Sequence, residues 1–165
     1  MTPQRLLKLA IIPALQELHY CGIPDTPDAR RFLLAIALQE SALEHRRQVI
    51  SGKGEAGPAA SFWQFESGGG CQGVLTHFQV ASCMRRLCAE FKVSATPQGL
   101  WEAMRYNDIV AAIAARLLVY TLPERLPTTP EAGWAQYIEA WRPGKPHPHT
   151  WDQAWATATS TVGGQ

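Results

Sequence analysis

The chain has 165 residues, with 15 basic and 14 acidic side chains and a formal net charge of +1. This length suits one domain that can bury a hydrophobic core of its own. The nearly balanced charge excludes the basic footprint of a nucleic-acid-binding protein and gives no general attraction to an anionic membrane. We therefore expect a single domain over residues 1–165, in which a local patch meets any charged partner.

The first element is a predicted amphipathic helix over residues 3–20, whose apolar residues recur at spacings of three and four. Arg5 and Lys8 precede only a short apolar run, which Pro13 interrupts. A signal peptide needs a longer apolar stretch, and a membrane span needs about 20 apolar residues. We expect synthesis in the cytoplasm without a signal peptide, and no integral membrane segment.

The second predicted helix begins at Thr26-Pro27-Asp28, where threonine caps, proline occupies the first turn and aspartate favours the positive helix end. Residues 32–38 are all apolar, which is typical of a helix at the centre of a domain. The run ends at Gln39-Glu40-Ser41.

Residues 51–73 are rich in glycine and serine around the aromatic island Phe62-Trp63-Gln64-Phe65. We predict a long loop here, with room for a short strand, and such loops are usually functional. Further helices are predicted over residues 74–91, 97–104, 109–120, 130–141 and about 150–158. Sustained alternation typical of several strands is missing from the sequence, so the predicted fold class is mainly α.

Glu40 is the most informative position for chemistry. It follows a wholly apolar helix, where burial and the negative end of the helix dipole both oppose ionisation of a carboxyl group. A carboxyl group that keeps its proton near neutral pH is what a general acid requires. The competing interpretation is an exposed glutamate at a frayed helix end.

Three segments together resemble soluble lytic transglycosylases and goose-type lysozymes. The segment 35–41 is similar to the family's buried helix ending in Glu-Ser, the segment 54–65 to its glycine-containing loop ending in Gln, and the segment 134–141 to its late tyrosine-bearing helix. The resemblance implies a lysozyme-like domain with a buried central helix and a long active-site loop. It also implies that Glu40 is the catalytic acid and that substrate contacts come from Ser41, Phe62, Trp63, Gln64 and Tyr137.

Several roles stay open at this stage. Phe62 and Trp63 either offer flat faces to a glycan or pin the loop to the core. Ser41 either orients the Glu40 carboxyl or caps backbone, and Tyr106 is an alternative to Tyr137. The third segment also departs from the family, with Tyr137-Ile138-Glu139-Ala140 where Tyr-Asn-Ala-Gly is usual.

A hydrolase would commonly add a second carboxylate to the catalytic acid. Among the nearby candidates, Glu44 could belong to a salt-linked surface with Arg46 or Arg47. Glu55 and Glu66 are better interpreted as solvated loop charges. This favours one-carboxylate transglycosylase chemistry.

Four cysteines, Cys21, Cys71, Cys83 and Cys88, occur without a C-x-x-C pair. The even count permits two disulfides. Because cytoplasmic synthesis favours reduced thiols, we expect instead that all four are small buried hydrophobes. His147-Pro148-His149 lacks the spacing of a helical zinc site and is read as a turn. The sequence therefore predicts neither a metal nor a cofactor. The segment 141–146 is either an exposed docking or substrate segment or a packed turn.

The predicted function is cleavage of the glycosidic bond between N-acetylmuramic acid and N-acetylglucosamine. The predicted partners are peptidoglycan glycan strands and other virion proteins, with no nucleic acid. We expect a phage protein that acts at the bacterial cell wall, either to penetrate the wall or to lyse the cell. The alternative is a catalytically inactive lysozyme-like module that binds the wall or belongs to the virion structure.

Overall fold

The structure, a computed structural model, describes residues 1–164, apart from four side chains at positions 48, 49, 55 and 56. The predicted mainly α class is confirmed. The helices are α1 (Pro3–Leu6), α2 (Ile12–His19), α3 (Pro27–Ser41), α4 (Gln72–Thr76), α5 (Ala81–Glu90), α6 (Pro97–Met104), α7 (Asp108–Tyr120), α8 (Pro130–Trp141) and α9 (Pro148–Gly163), and the strands are β1 (Arg47–Ile50) and β2 (Gly54–Ala60).

Threonine followed by proline starts four of the helices. The hydroxyls of Thr2, Thr26, Thr96 and Thr129 each accept a hydrogen bond from the backbone N–H three residues later. Proline at the next position has no N–H to leave unpaired and a φ angle already suited to a helix. Asn107 caps α7 in the same manner, accepting from the N–H groups of two residues. These short-range signals placed the helix starts correctly.

The segments α1 and α2 form one continuous helix through a π-helical turn, Leu7–Ile11. Pro13 follows this turn directly and has no N–H with which to continue the regular ladder. A single wider turn is the common form of π-helix inside an α-helix. The core side chains on both sides of the turn are fully buried.

Two buried helices, α3 and α7, form the centre of the molecule. Every residue over 32–37 and over 110–117 is buried. Helix α3 packs mainly against α9, while α7 packs against α2 and several shorter helices. The wholly apolar run predicted for the domain centre therefore lies there, and its C-terminal end carries Glu40.

The prediction of one long loop over residues 51–73 is wrong in part. An antiparallel hairpin pairs β1 with β2, and a π-helical turn, Ser67–Cys71, leads directly into α4. The hairpin turn has Gly52 and Gly54 at φ +77° and +65°, which glycine adopts without strain. Apolar periodicity does not report such a turn, and the short strands were therefore underestimated.

Two helix boundaries also differ from those predicted. The predicted helix 74–91 is interrupted between α4 and α5 at residues 77–80. The last helix starts at Pro148 and reaches Gly163, five residues beyond the predicted end, 163 against 158. Its start follows the same rule as the other helices, because proline occupies the first turn.

The expectation that all four cysteines are reduced is wrong for two of them. Cys21 and Cys83 form a disulfide with Cα atoms 6.0 Å apart, joining the chain after α2 to α5. Cys71 and Cys88 are free and buried, as expected. Redox compartment and cysteine spacing do not decide this pairing, because it depends on which chain segments the fold brings together.

Across residues 1–164, no helix combines the length and the apolar character that crossing a bilayer requires.

Candidate functional site

Glu40 lies in the last turn of α3, where two surface cavities meet. The first cavity, of about 620 Å³, lies between the end of α3 and α9 and is also lined by Arg47. The second cavity, of about 720 Å³, lies between the π-helical turn 67–71 and the segment after α8. Glu40 and Gln64 line both cavities. The carboxyl group thus faces a groove that continues on either side of it.

Tyr137 of α8 holds the Glu40 carboxyl in place. Its phenol O–H donates a hydrogen bond to Glu40 Oε1 at 2.7 Å. The Tyr137 ring is 3% exposed and stacks on Trp151 with ring centroids 5.4 Å apart and an interplanar angle of 15°. Gly133, one turn earlier on α8, lets Trp155 approach so closely that an added Cβ would lie 2.5 Å from its ring. Close aromatic packing therefore fixes the position of the phenol.

Burial dominates the electrostatics of this pair. Loss of water around the carboxylate raises the pKa of Glu40 from 4.5 to about 7, although the hydrogen bond from Tyr137 acts in the opposite direction. Burial and the neighbouring Glu40 charge raise the pKa of Tyr137, so its phenol keeps its proton and remains a donor. Near neutral pH both forms of Glu40 are accordingly populated.

The predicted substrate contacts of Phe62 and Trp63 are wrong, because both side chains lie in the core. Trp63 is fully buried, and its Nε1 donates to Leu33 O at 2.9 Å. Positive φ angles at Ser61 (+67°) and Gln64 (+51°) turn the chain on either side of the tryptophan. The turn directs Trp63 inward and leaves Gln64 on the groove. The alternative that the aromatic residues pin the loop to the core therefore describes them.

Gln64 is placed on the groove, as a substrate contact requires. Its Nε2 donates to Ser61 O at 2.8 Å, which holds the amide group in a defined position. A preorganised amide can exchange hydrogen bonds with hydroxyl or acetamido groups of a ligand. Gln64 is thus suited to contact a ligand on both sides of Glu40.

Ser41 lines the first cavity but is bonded to backbone. Its hydroxyl lies 2.9 Å from the carbonyl oxygens of both Ala37 and Phe62, and it accepts from Leu43 N at 3.3 Å. These contacts correspond to the backbone-capping alternative. They also fasten the end of α3 to the aromatic loop, so Ser41 supports the position of Glu40 indirectly.

The remaining sequence candidates are separated by their positions. Tyr106 is 79% exposed and lies outside both cavity linings, so Tyr137 is the tyrosine that faces Glu40. Glu66 lines the second cavity with an exposed side chain, whereas Glu44 is exposed outside the two linings. The side chain of Glu55 lies outside the described residues.

Basic side chains on the groove were not assigned a role from the sequence. The first cavity is lined by His45, Arg47 and His149, and the second by Arg142, Lys145 and His147. They come from two short segments, 45–47 and 142–149, that are distant from each other in the chain, so no local spacing marks the whole group. The segment 141–146, predicted to be either an exposed docking or substrate segment or a packed turn, is in part a wall of the second cavity.

The His147 and His149 rings lie edge to face, 5.7 Å apart. Within residues 1–164, no group of three or more His, Cys, Asp or Glu side chains is arranged to hold a metal ion.

The chain matches no protein-family model, no curated protein and no solved structure. A functional assignment therefore depends on the geometry of the site.

Proposed function

We propose that this protein cleaves the β-1,4 bond between N-acetylmuramic acid and N-acetylglucosamine in peptidoglycan, with Glu40 as the general acid. The observation that carries the proposal is a largely buried carboxyl group, with its pKa raised to about 7, at the junction of two cavities. We propose that it is a phage protein that acts on the bacterial cell wall, either to penetrate the wall or to lyse the cell.

The shape of the groove suits a polymer better than a small ligand. Each cavity, at about 620 and 720 Å³, falls in the range of ordinary ligand sites. A strand that crosses Glu40 would place sugars on both sides of it. The bond between those sugars would then lie opposite the carboxyl group, which is the position required of an acid that protonates a glycosidic oxygen.

The acid step uses the proton that burial keeps on Glu40. Protonated Glu40 donates to the glycosidic oxygen while the bond from that oxygen to the anomeric carbon breaks. The carboxylate that forms accepts the hydrogen bond from Tyr137, whose raised pKa keeps the phenol in its donating form. Tyr137 is therefore a positioning residue that also stabilises the product form of the acid.

A one-carboxylate route completes the reaction. Glu40, now ionised, takes a proton from a hydroxyl of the muramic acid sugar while the hydroxyl oxygen bonds to the anomeric carbon. The product is an anhydro sugar, and Glu40 regains its proton. We favour this route because, among the described residues, the one further carboxylate on the groove is Glu66, whose side chain is exposed. A second catalytic carboxylate is usually held in position by neighbouring groups rather than exposed to solvent.

Digestion of purified peptidoglycan tests the proposal directly. The wild type should release muropeptides with anhydro ends, and Glu40→Gln should release none; mass spectrometry separates anhydro from reducing ends by one water. Reducing ends would keep the acid and replace transglycosylation by hydrolysis. Equal release by both proteins would refute the role of Glu40, and no release by either would favour a lysozyme-like module that binds the wall without cleaving it.

A further inference from the structure

A row of alternating cationic and aromatic side chains leads away from the first cavity. Arg47 lies over the ring of Trp101 at 5.7 Å, Arg105 over the same ring at 5.4 Å, and Arg105 over the ring of Tyr106 at 5.2 Å, measured from each guanidinium carbon to the ring centroid. We call Arg47, Trp101, Arg105 and Tyr106 the cation–aromatic row. Arg47 also lines the first cavity, so the row is continuous with the groove at Glu40.

The row is held on a rigid support. Trp101 and Arg105 are four residues apart on or just after α6, which places them on one face. Trp101 Nε1 donates to Pro58 O at 2.7 Å and Arg47 donates to Gly57 O at 3.3 Å, so α6 and the hairpin are fastened together beneath the row. The aromatic and cationic groups therefore keep their order without a ligand.

The guanidinium groups of the row face aromatic rings rather than carboxylates. The Nε atoms of Arg47 and Arg105 are buried without a hydrogen-bond partner among the described residues, which is consistent with guanidinium planes lying over an aromatic ring. Among the described side chains, neither arginine forms a salt bridge. The acidic residue of α6, Glu102, instead accepts from Gln98 Nε2 at 2.9 Å.

The aromatic side chain at the end of the row is exposed to solvent. Tyr106 is 79% exposed and contacts the guanidinium of Arg105. An exposed tyrosine beside an arginine offers both a flat surface and a positive charge, and these residue types dominate the energy of many binding surfaces. The chemistry fits a ligand with carboxylates at intervals along an uncharged backbone.

We propose that the cation–aromatic row is a distal binding site for the stem-peptide carboxylates of a peptidoglycan strand whose glycan occupies the groove at Glu40. This inference rests on the proposed peptidoglycan substrate and adds a part of the substrate that the groove does not contact. Arg105 and Tyr106 supply the outer contact, and Arg47 joins it to the first cavity.

Binding to insoluble peptidoglycan tests the proposal without requiring cleavage. All proteins carry Glu40→Gln, and each is mixed with intact sacculi and with sacculi from which an amidase has removed the stem peptides. Adding Arg105→Ala and Tyr106→Ala should weaken binding to intact sacculi by about fivefold, because one half-buried and one exposed contact of modest strength are lost. Binding to stripped sacculi should be unchanged by the same pair of substitutions.

A matched control removes an arginine and an exposed aromatic residue elsewhere. Phe78 is 85% exposed and Arg5 is exposed on α1, so Arg5→Ala with Phe78→Ala should leave binding to both preparations unchanged. Thermal unfolding of each variant confirms that it is folded. Equal binding of the row variant and its parent to intact sacculi would overturn the inference, as would an equal loss on stripped sacculi or no binding to either.

The outcome remains separable from that of the proposed function. If the wild type releases no fragments but the row still determines binding to stem-bearing sacculi, the distal site stands and the catalytic proposal fails. If the wild type releases fragments but the row variant binds intact sacculi as strongly as its parent does, the catalytic proposal stands and the distal site fails.

Discussion

The C-terminal end of α3 and the N-terminal end of α7 each hold a carboxylate, in opposite electrostatic settings. Asp108 lies at the positive end of its helix, and its two oxygens accept from Arg46 Nε and a terminal nitrogen at 3.0 and 2.8 Å. Glu40 lies at the negative end of its helix and accepts from the neutral phenol of Tyr137. A full opposite charge makes the first carboxylate structural, whereas a neutral donor leaves the second able to carry a proton.

The largest effect should come from making the same change at both ends. Glu40→Gln removes the transferable proton and should lower the rate of peptidoglycan cleavage by about a thousandfold, the usual scale of general acid catalysis. Asp108→Asn should keep the rate within about twofold, since Asp108 is absent from both cavity linings. Turbidity clearing of cell-wall suspensions measures both, and a similar loss in the two variants would break the comparison.

Stability should respond to pH differently in Glu40→Gln and in the wild type. Because folding raises the pKa of Glu40 from 4.5 to about 7, the folded wild type binds more protons between these values and becomes less stable as pH rises through them. At about 1.4 kcal/mol per pKa unit, the difference in free energy of unfolding, Glu40→Gln minus wild type, should increase by about 3 kcal/mol as the pH rises over this range. Urea unfolding at pH 4.5, 6 and 8 measures the difference. A gap that does not change with pH would contradict the burial of this carboxyl.

The hydrogen bond from the Tyr137 phenol should determine the pH above which activity falls. The wild-type rate should fall as pH rises above about 7, because the acid form of Glu40 is consumed. Tyr137→Phe keeps the aromatic packing but removes the hydrogen bond that lowers the pKa of Glu40, so the alkaline limb should move up by about one pH unit. A pH–rate profile shows the shift. A limb that stays in place or moves to lower pH would mean that Tyr137 does not tune this acid.

The smallest effect should be the cost of unpairing Arg46. Asp108→Asn should lower the free energy of unfolding by about 1 kcal/mol, since Asp108 is 15% exposed and its partner 41% exposed. Urea unfolding measures the change. High salt should reduce the difference from the wild type only in part, because the aspartate side chain is mostly buried. A change below the error of the measurement would place this pair among surface charges of no structural weight.

Local rules recovered the helical part of the fold. The Thr-Pro starts at residues 26, 96 and 129 and the cap at Asn107 depend on contacts within four residues, and such contacts leave a spacing in the sequence. The all-apolar run before Glu40 likewise placed α3 in the core. The hairpin, the break at residues 77–80 and the Cys21–Cys83 bond depend on turns and on distant segments, which periodicity does not record.

The site was recovered unevenly for the same reason. Glu40 stood out because its own helix predicts burial, but its meeting with Tyr137 joins residues 97 positions apart and was suggested by a family resemblance. Phe62 and Trp63 were misplaced because a backbone turn, rather than residue type, decides which member of Phe62–Gln64 reaches the groove. The basic lining of the groove combines the segments 45–47 and 142–149, and only the fold brings these two segments together.

The π-helical turn near the N-terminus compensates for the difference between the spacing of the core residues in the sequence and the number of residues per turn of an α-helix. The core residues of the first helix recur every four positions, as Leu6 and Leu7, Ala10 and Ile11, Ala14 and Leu15, and then Leu18. An α-helix with about 3.6 residues per turn would let that stripe wander around its surface. The wider turn reduces the rotation per residue around the helix axis, so that both halves of the helix present their leucines to the same neighbours. Deleting a single residue between positions 7 and 11 should therefore rotate one half of this helix relative to the other. The buried residues of that half would no longer face the core, and the packing beneath the groove would be disturbed although no residue of the groove had been changed.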